Sequence, residues 1–275
     1  MRIVSRFPIA AAIGVVALGA TAMAASIPIV GYDVQQVPQS GCGGWSYAYS
    51  GGTATDTGRR MCCQAFGGGC LTAPVPVYDF SGGTGTLADG IIGAGIDDTE
   101  LFFLRSDVAG QPLQPAITLH LGGTYFINSI HIFGGDFLGL FPGDLTGLTV
   151  EIGGASLALP TIPIGPLYNP IFFNTDDLVV LNGTGLDAIA TNRIVLRGFT
   201  AAMFFGFPLD QISMTEITVD GALAFAGTPG DPDCHGKSVS ALARQFGGIA
   251  SAASALGFAS VQALQAAIKA FCNEQ

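Results

Sequence analysis

Charge is scarce in this chain. Asp, Glu, Lys and Arg supply 11% of its 275 residues, and ten basic side chains stand against twenty acidic ones, a formal net charge of -10. Such a surface repels phosphate backbones and argues against nucleic-acid binding. Few charges together with 40 glycines also argue against long solvated helices and for turn-rich β-structure. After residue 24 no stretch of about twenty uninterrupted apolar residues occurs, so no transmembrane segment is expected in the mature chain. Catalytic signatures are missing as well. The three histidines come without a G-x-S-x-G elbow, an H-E-x-x-H pair or a P-loop. A glycosidase needs only two carboxylates at a suitable separation, but no particular pair stands out. The chain reads as a non-enzyme.

What is present begins with a secretory signal over residues 1–24. Arg2 and Arg6 form its basic start, Ile9 to Leu18 its apolar centre, and Ala22-Met23-Ala24 an A-x-A cleavage site. Losing two arginines and no acid moves the formal charge from -10 to -12. The mature protein is therefore expected in the periplasm, at the cell surface or outside the cell. Six cysteines in an exported chain read as disulfides. Cys234 and Cys272 are the only cysteines of the C-terminal segment and are expected to pair with each other. Cys42, Cys62, Cys63 and Cys70 allow three pairings. A bond between adjacent Cys62 and Cys63 would be strained, which favours Cys42 with one and Cys70 with the other. The competing reading is a zinc site, although paired C-x-x-C knuckles are lacking.

The period-two alternation of Ile117, Leu119 and Leu121, then of Ile130 and Ile132 after a Gly-Gly turn, is that of half-buried antiparallel strands. Strands are expected near 117–121, 126–133, 147–152, 156–159, 178–181, 193–198 and 211–219. In the last, Ile212 and Met214 share one face and Ile217 and Val219 the other, so a bulge near Thr215-Glu216 is expected. The division by punctuation is 25–78 (strands and the four-cysteine cluster, packed on the sandwich), 79–221 (the sandwich), 222–233 (a Pro/Gly linker) and 234–275 (a helical tail). In the tail, Val239, Leu242, Ala243 and Phe246 form one helical face ended by Gly247-Gly248. Ser260 is a candidate N-cap for a helix carrying Val261, Leu264, Ile268 and Phe271, and a shorter helix fits 250–256. The fold class is thus a mainly β sandwich with a small C-terminal α-helical module.

The segments Leu87-Ala-Asp-Gly90, Pro115 to Gly135, Leu148 to Gly154, Arg193 to Gly198 and Ile212 to Gly221 resemble the galactose-binding-like superfamily, which includes discoidin-like and bacterial carbohydrate-binding domains. They cover about half the chain. The resemblance implies a jelly-roll that binds rather than catalyses. It also implies one structural calcium ion between an early Asp-Gly loop and the glutamate of the final strand, here Asp89 and Glu216. Asp97 and Thr99 are further oxygen donors on spacing alone, and calcium requires such hard ligands. The competing reading is an Asp-Gly turn and an exposed glutamate. The family's tryptophan after that loop is replaced by Phe102 and Phe103. The disulfide-closed tail looks like one that recurs on exported bacterial proteins.

If strands run alternately up and down, loops 134–146, 160–177 and 199–210 fall at one end. They carry Phe137, Phe141, Tyr168, Asn169, Phe172, Phe173, Asn174, Asp176, Met203, Phe204, Phe205 and Phe207. Exposed aromatics gathered there would mark an interaction site. Stacking on sugar rings, with Asn and Asp fixing hydroxyls, fits that mixture. Folding back to cap the core is the plainer alternative, and lipid insertion lacks nearby basic residues. The candidate partners are a glycan or envelope polysaccharide, or a surface protein bound by an adhesive module. His120 and His131 lie on outward parity as potential neighbours across a hairpin, too few for a metal site. Trp45, Tyr47 and Tyr49 alternate on one strand face and are expected to pack on the sheet. Asn182-Gly183-Thr184 matches a glycosylation sequon.

Overall fold

The computed structural model describes residues 25–38, 40–42, 45–46, 49–62, 73–92, 100–137, 145–168, 172–201, 203–204, 207–208, 211–256 and 258–273. The strands in chain order are β1 (Ala25–Ile27), β2 (Ile29–Pro38), β3 (Ser40–Cys42), β4 (Trp45–Ser46), β5 (Tyr49–Ser50) and β6 (Thr53–Met61). Next come β7 (Val75–Gly85), β8 (Glu100–Phe103), β9 (Ala116–Phe137), β10 (Leu145–Ile152), β11 (Ala155–Pro160) and β12 (Ile162–Tyr168). The last are β13 (Phe172–Val180), β14 (Thr191–Ala201), β15 (Met203–Phe204), β16 (Phe207–Pro208), β17 (Gln211–Met214) and β18 (Glu216–Leu223). Every pairing among them is antiparallel.

The 22-residue β9 organises the sandwich. Its first half lies between β2 and β14, in the order β11-β10-β14-β9-β2-β7. Its second half lies between β13 and β18, which carry β12 and β1 outermost. The change of partners comes at Gly122-Gly123, which the structure keeps inside one continuous strand instead of the expected turn. Pro28 interrupts the neighbouring β1–β2 segment at the same level, where its carbonyl accepts the Gly122 N–H at 3.0 Å. Glycine suits the crossing because a Cβ on Gly123 would meet Leu256 Cδ2 at 3.1 Å.

One core fills the space between the two halves. Ile117, Leu119, Ile130, Ile132, Val150, Val179, Leu196, Ile217 and Val219 belong to it, and all are buried. Each such side chain contributes about 1.5–3 kcal/mol on burial. Two irregularities keep the inward parity. Asn128 is an extra residue opposite β18, between the pairs Ile127–Gly221 and Ser129–Asp220, so burial passes from Ile127 to Ile130. Thr215 separates β17 from β18, and its N–H bonds Phe133 O at 2.7 Å. Ile212, Met214, Ile217 and Val219 all become buried as a result, as the broken alternation predicts.

The expected division between 78 and 79 falls inside β7, and β2 sits in mid-sheet. Tyr49 packs against Tyr32 and Phe80, and its hydroxyl donates to Tyr32 O at 2.7 Å. The tail forms α1 (Cys234–Gln245), α2 (Ile249–Ala255) and α3 (Val261–Asn273) around Leu242, Ala252, Ala253, Leu264 and Ile268. Ser260 Oγ accepts the Ala263 N–H at 3.1 Å, the expected cap. Cys234 and Cys272 are bonded, as expected. Cys62 is also in a disulfide. Cys63 and Cys70 lie outside the described residues and only the backbone of Cys42 is described, so the N-terminal pairing is not addressed. No helix among the described residues is long and apolar enough to cross a membrane.

Candidate functional site

The break at Thr215 has a chemical consequence. With Ile217 and Val219 facing the core, Glu216 falls on the opposite face, where it would ordinarily meet water. Instead it is 3% exposed, beneath the turn that follows Thr86–Ala88. Gly90 N–H donates to Glu216 Oε2 at 3.1 Å, and the Asp89 carboxyl stands beside it. Burial, reinforced by the Asp89 charge, pushes the Glu216 carboxyl up to about 7 against the Gly90 hydrogen bond. Among the described residues neither carboxylate has a basic partner. Two adjoining carboxylates, one of them buried, are the donor chemistry of a hard cation. Asp97 and Thr99 lie outside the described residues.

The aromatic segments are extended strands through much of their length rather than loops. β12, β13 and the end of β9 form a three-stranded ribbon with Phe172 opposite Phe137 and Phe173 opposite both Asp136 and Tyr168. Strand pairing explains the difference: a β9 that continues to Phe137 offers β13 nine consecutive partners. Leu145 and Ala201 pair where β10 begins and β14 ends, close to the β15–β16 hairpin with Phe204 opposite Phe207. Phe141, Asn169 and Phe205 lie outside the described residues. For Phe137, Tyr168, Phe172, Asn174, Phe204 and Phe207 the backbone register alone is described.

Asp176 occupies a different position from the one expected, below the tip on the sheet face. Its carboxylate faces His131 Nδ1 at 3.0 Å, and Asp220 approaches His131 Nε2 at 3.3 Å from the other neighbouring strand. Phe133 stacks on the imidazole, with ring centroids 6.3 Å apart. His120 is not its neighbour. It lies between β2 and β14 in the other half of β9, paired with Asp33 at 2.9 Å. The two histidines lie in different halves of β9, flanked by different strands, because β9 changes partners between them.

Two features carry no local sequence signal. Gln36 has φ of 57°, and its side-chain oxygen accepts from Arg59 Nη1 at 2.7 Å and from Gln114 N–H at 2.9 Å. Arg59 also bonds Asp107 at 2.8 Å and the carbonyls of Gln111 and Pro112. A cavity of about 280 Å³ lies where tail and sandwich meet, lined by Leu223, Phe225, Leu242, Gln245 and Phe246 among others. Both join residues remote in sequence.

No protein-family model and no curated protein matches the chain. Solved structures to which it is similar include CBM32-3 from a family 31 glycoside hydrolase of Clostridium perfringens, at 11% identity and TM-score 0.29, covering 50% of this chain and 80% of that one. Another is CpGH89CBM32-5 from the same organism in complex with GalNAc-β-1,3-galactose, at 15% and 0.28, covering 63% and 95%. A third is the family 32 module of C. perfringens NanJ in complex with galactose, at 16% and 0.26, covering 68% and 98%.

Proposed function

We propose that the protein is an exported, non-catalytic module that binds extracellular or cell-envelope carbohydrate through the tip of the β12–β13–β9 ribbon. The observation that carries this reading is the register that gathers Phe137, Tyr168, Phe172 and Phe173, with Asn174 next along β13. Aromatic faces pack against pyranose rings while amides and carboxylates bond the hydroxyls. The candidate set further includes Phe204 and Phe207 of the β15–β16 hairpin and, on sequence alone, Phe141, Asn169 and Phe205. Asp176 acts from below the tip.

A calcium ion held by Asp89 and Glu216, with Asp97 and Thr99 as further donors, belongs to the same reading. Its role there is to neutralise two adjoining carboxylates and to hold the turn at Asp89-Gly90 against β18. The test is a glycan array probed with oxidised protein in the presence of calcium. Binding to a defined glycan class is expected, together with its loss in the double variant Tyr168→Ala, Phe172→Ala. Binding unchanged in that variant would move the site away from the ribbon tip. A blank array with folded protein would overturn the carbohydrate reading in favour of adhesion to a protein partner.

A further inference from the structure

Open sheet edges are a hazard that proteins blunt with charge, proline, bulges or brevity. Among the described residues the large sheet ends at β1, β5, β6, β11 and β12. β1 has three residues and β5 two. β6 carries Asp56, Arg59 and Arg60 and an irregular register between Asp56 and Arg60. β12 contains Pro163 and Pro166, with a register shift between them. β11 has the least protection, a single proline at its end. Its six residues pair with β10 without interruption, from Ile152–Ala155 to Gly147–Pro160, and five of the six are exposed. Proline appears only at its last position. In a protein of net charge -10, no charged residue occurs from Ile152 to Thr175.

The hydrogen-bond phase of this edge can be derived. Gly153 and Gly154 have φ of 59° and 87°, the two positive values of a two-residue hairpin turn. Thr161 N–H bonds Thr146 O at 3.2 Å at the far end of the same hairpin. Antiparallel ladders alternate bonded and non-bonded pairs, so Ala155, Leu157 and Leu159 direct their amides to β10. Ser156 and Ala158 therefore direct N–H and C=O to the open side. These two residues flank Leu157, whose side chain is 38% exposed at the sheet margin.

We propose that β11 is a self-association edge, pairing antiparallel with β11 of a second copy about a twofold axis at Leu157. In that register Ser156 of each copy exchanges both backbone hydrogen bonds with Ala158 of the other. Leu157 meets its own counterpart as the non-bonded pair, where the Cα atoms of opposed residues approach most closely. Two further observations favour a second copy as the occupant. The spacing is self-complementary, as an isologous interface requires. The uncharged segment also lets two acidic chains meet without opposing like charges. Two ribbon tips would then act in one assembly, raising avidity without any new contact to the ligand.

Sedimentation equilibrium of the oxidised protein tests the proposal directly. A concentration-dependent dimer is expected, weakened roughly tenfold or more by Leu157→Lys, which sets like charges opposite each other. Circular dichroism should be unchanged in that variant because Leu157 is a surface position. Mild oxidation of Leu157→Cys should give a disulfide dimer, whereas Ala155→Cys should not, since position 155 lies opposite 159 in this register. A protein that is monomeric at all concentrations would overturn the proposal. So would a dimer indifferent to Leu157→Lys, or equal crosslinking through 155 and 157. A monomeric protein would leave the carbohydrate reading standing, since each copy carries its own ribbon tip, and a blank array would leave the dimer standing.

Discussion

In the sandwich, Val34 lies opposite Ile117 and Ile130 opposite Val219, so every core layer joins strands remote in sequence. In the tail, Leu242, Ala252, Leu264 and Ile268 come from three consecutive helices within one short segment. Both cores exclude water, but they are secured by different means. The sandwich closes through a ladder that cannot be opened at one strand without exposing its neighbours. The tail has too few apolar residues to be safe alone and is closed by a disulfide across 38 residues. A module with local contacts and a small core leans on its covalent constraint more heavily than one closed by long-range pairing, although the strand region too carries a disulfide, at Cys62.

The comparison is broken most severely by removing the tail's constraint. Cys234→Ser with Cys272→Ser should cost the tail about 4 kcal/mol, from the loop-closure entropy of a chain of that length. Hydrogen exchange should then show α1 to α3 opening while β9 and β18 stay protected, and equal loss in both regions would deny their independence. Ile132→Ala leaves a cavity beside the β9–β18 pairing and should cost about 3 kcal/mol, lowering the denaturant midpoint of the sandwich.

The Glu216 site provides a pH test confined to the sandwich. Its carboxyl ionises at about 7 in the folded protein against 4.5 for a freely solvated glutamate, so the folded state binds the extra proton between those values. Stability is then fully present below about pH 4.5 and is lost as pH rises through 7. Without calcium the loss should reach about 2–3 kcal/mol. Thermal unfolding from pH 5 to 8 should show the decline, Glu216→Gln should flatten it, and calcium should restore stability at pH 8. A calcium response that persists in Asp89→Asn with Glu216→Gln would remove these residues from the ion site.

Smaller effects sharpen the contrast. Arg59→Ala removes the clamp joining β6, Gln36 and Asp107, and should cost about 1–2 kcal/mol because a partly buried charged donor is lost. Ser260→Ala removes the cap of α3 and should cost about 1 kcal/mol, read as greater exchange in the tail alone.

Much of this was readable from residues. Strict alternation revealed the β9 core positions because a strand's two faces meet different solvents. The parity change between Met214 and Ile217 announced the break at Thr215, and the isolated cysteine pair announced its bond. The histidines read as potential neighbours because the Gly-Gly between them looks locally like a hairpin turn, and the continuous β9 separates them. A hairpin and a strand that changes partners share the same glycines, and only the pairing distinguishes them. Arg59 and Gln36 gave no signal at all, since neither belongs to a periodic pattern.

Sequence alone determined the mainly β class, the helical tail, its disulfide and the buried faces, because these follow from local periodicity and chain chemistry. Tertiary structure decided what lies beside what: Asp89 against Glu216, His131 between Asp176 and Asp220, aromatic segments aligned as one ribbon, and β11 left, among the described residues, as an open edge. Those juxtapositions depend on which distant strands share hydrogen bonds, and no short stretch of residues records that choice.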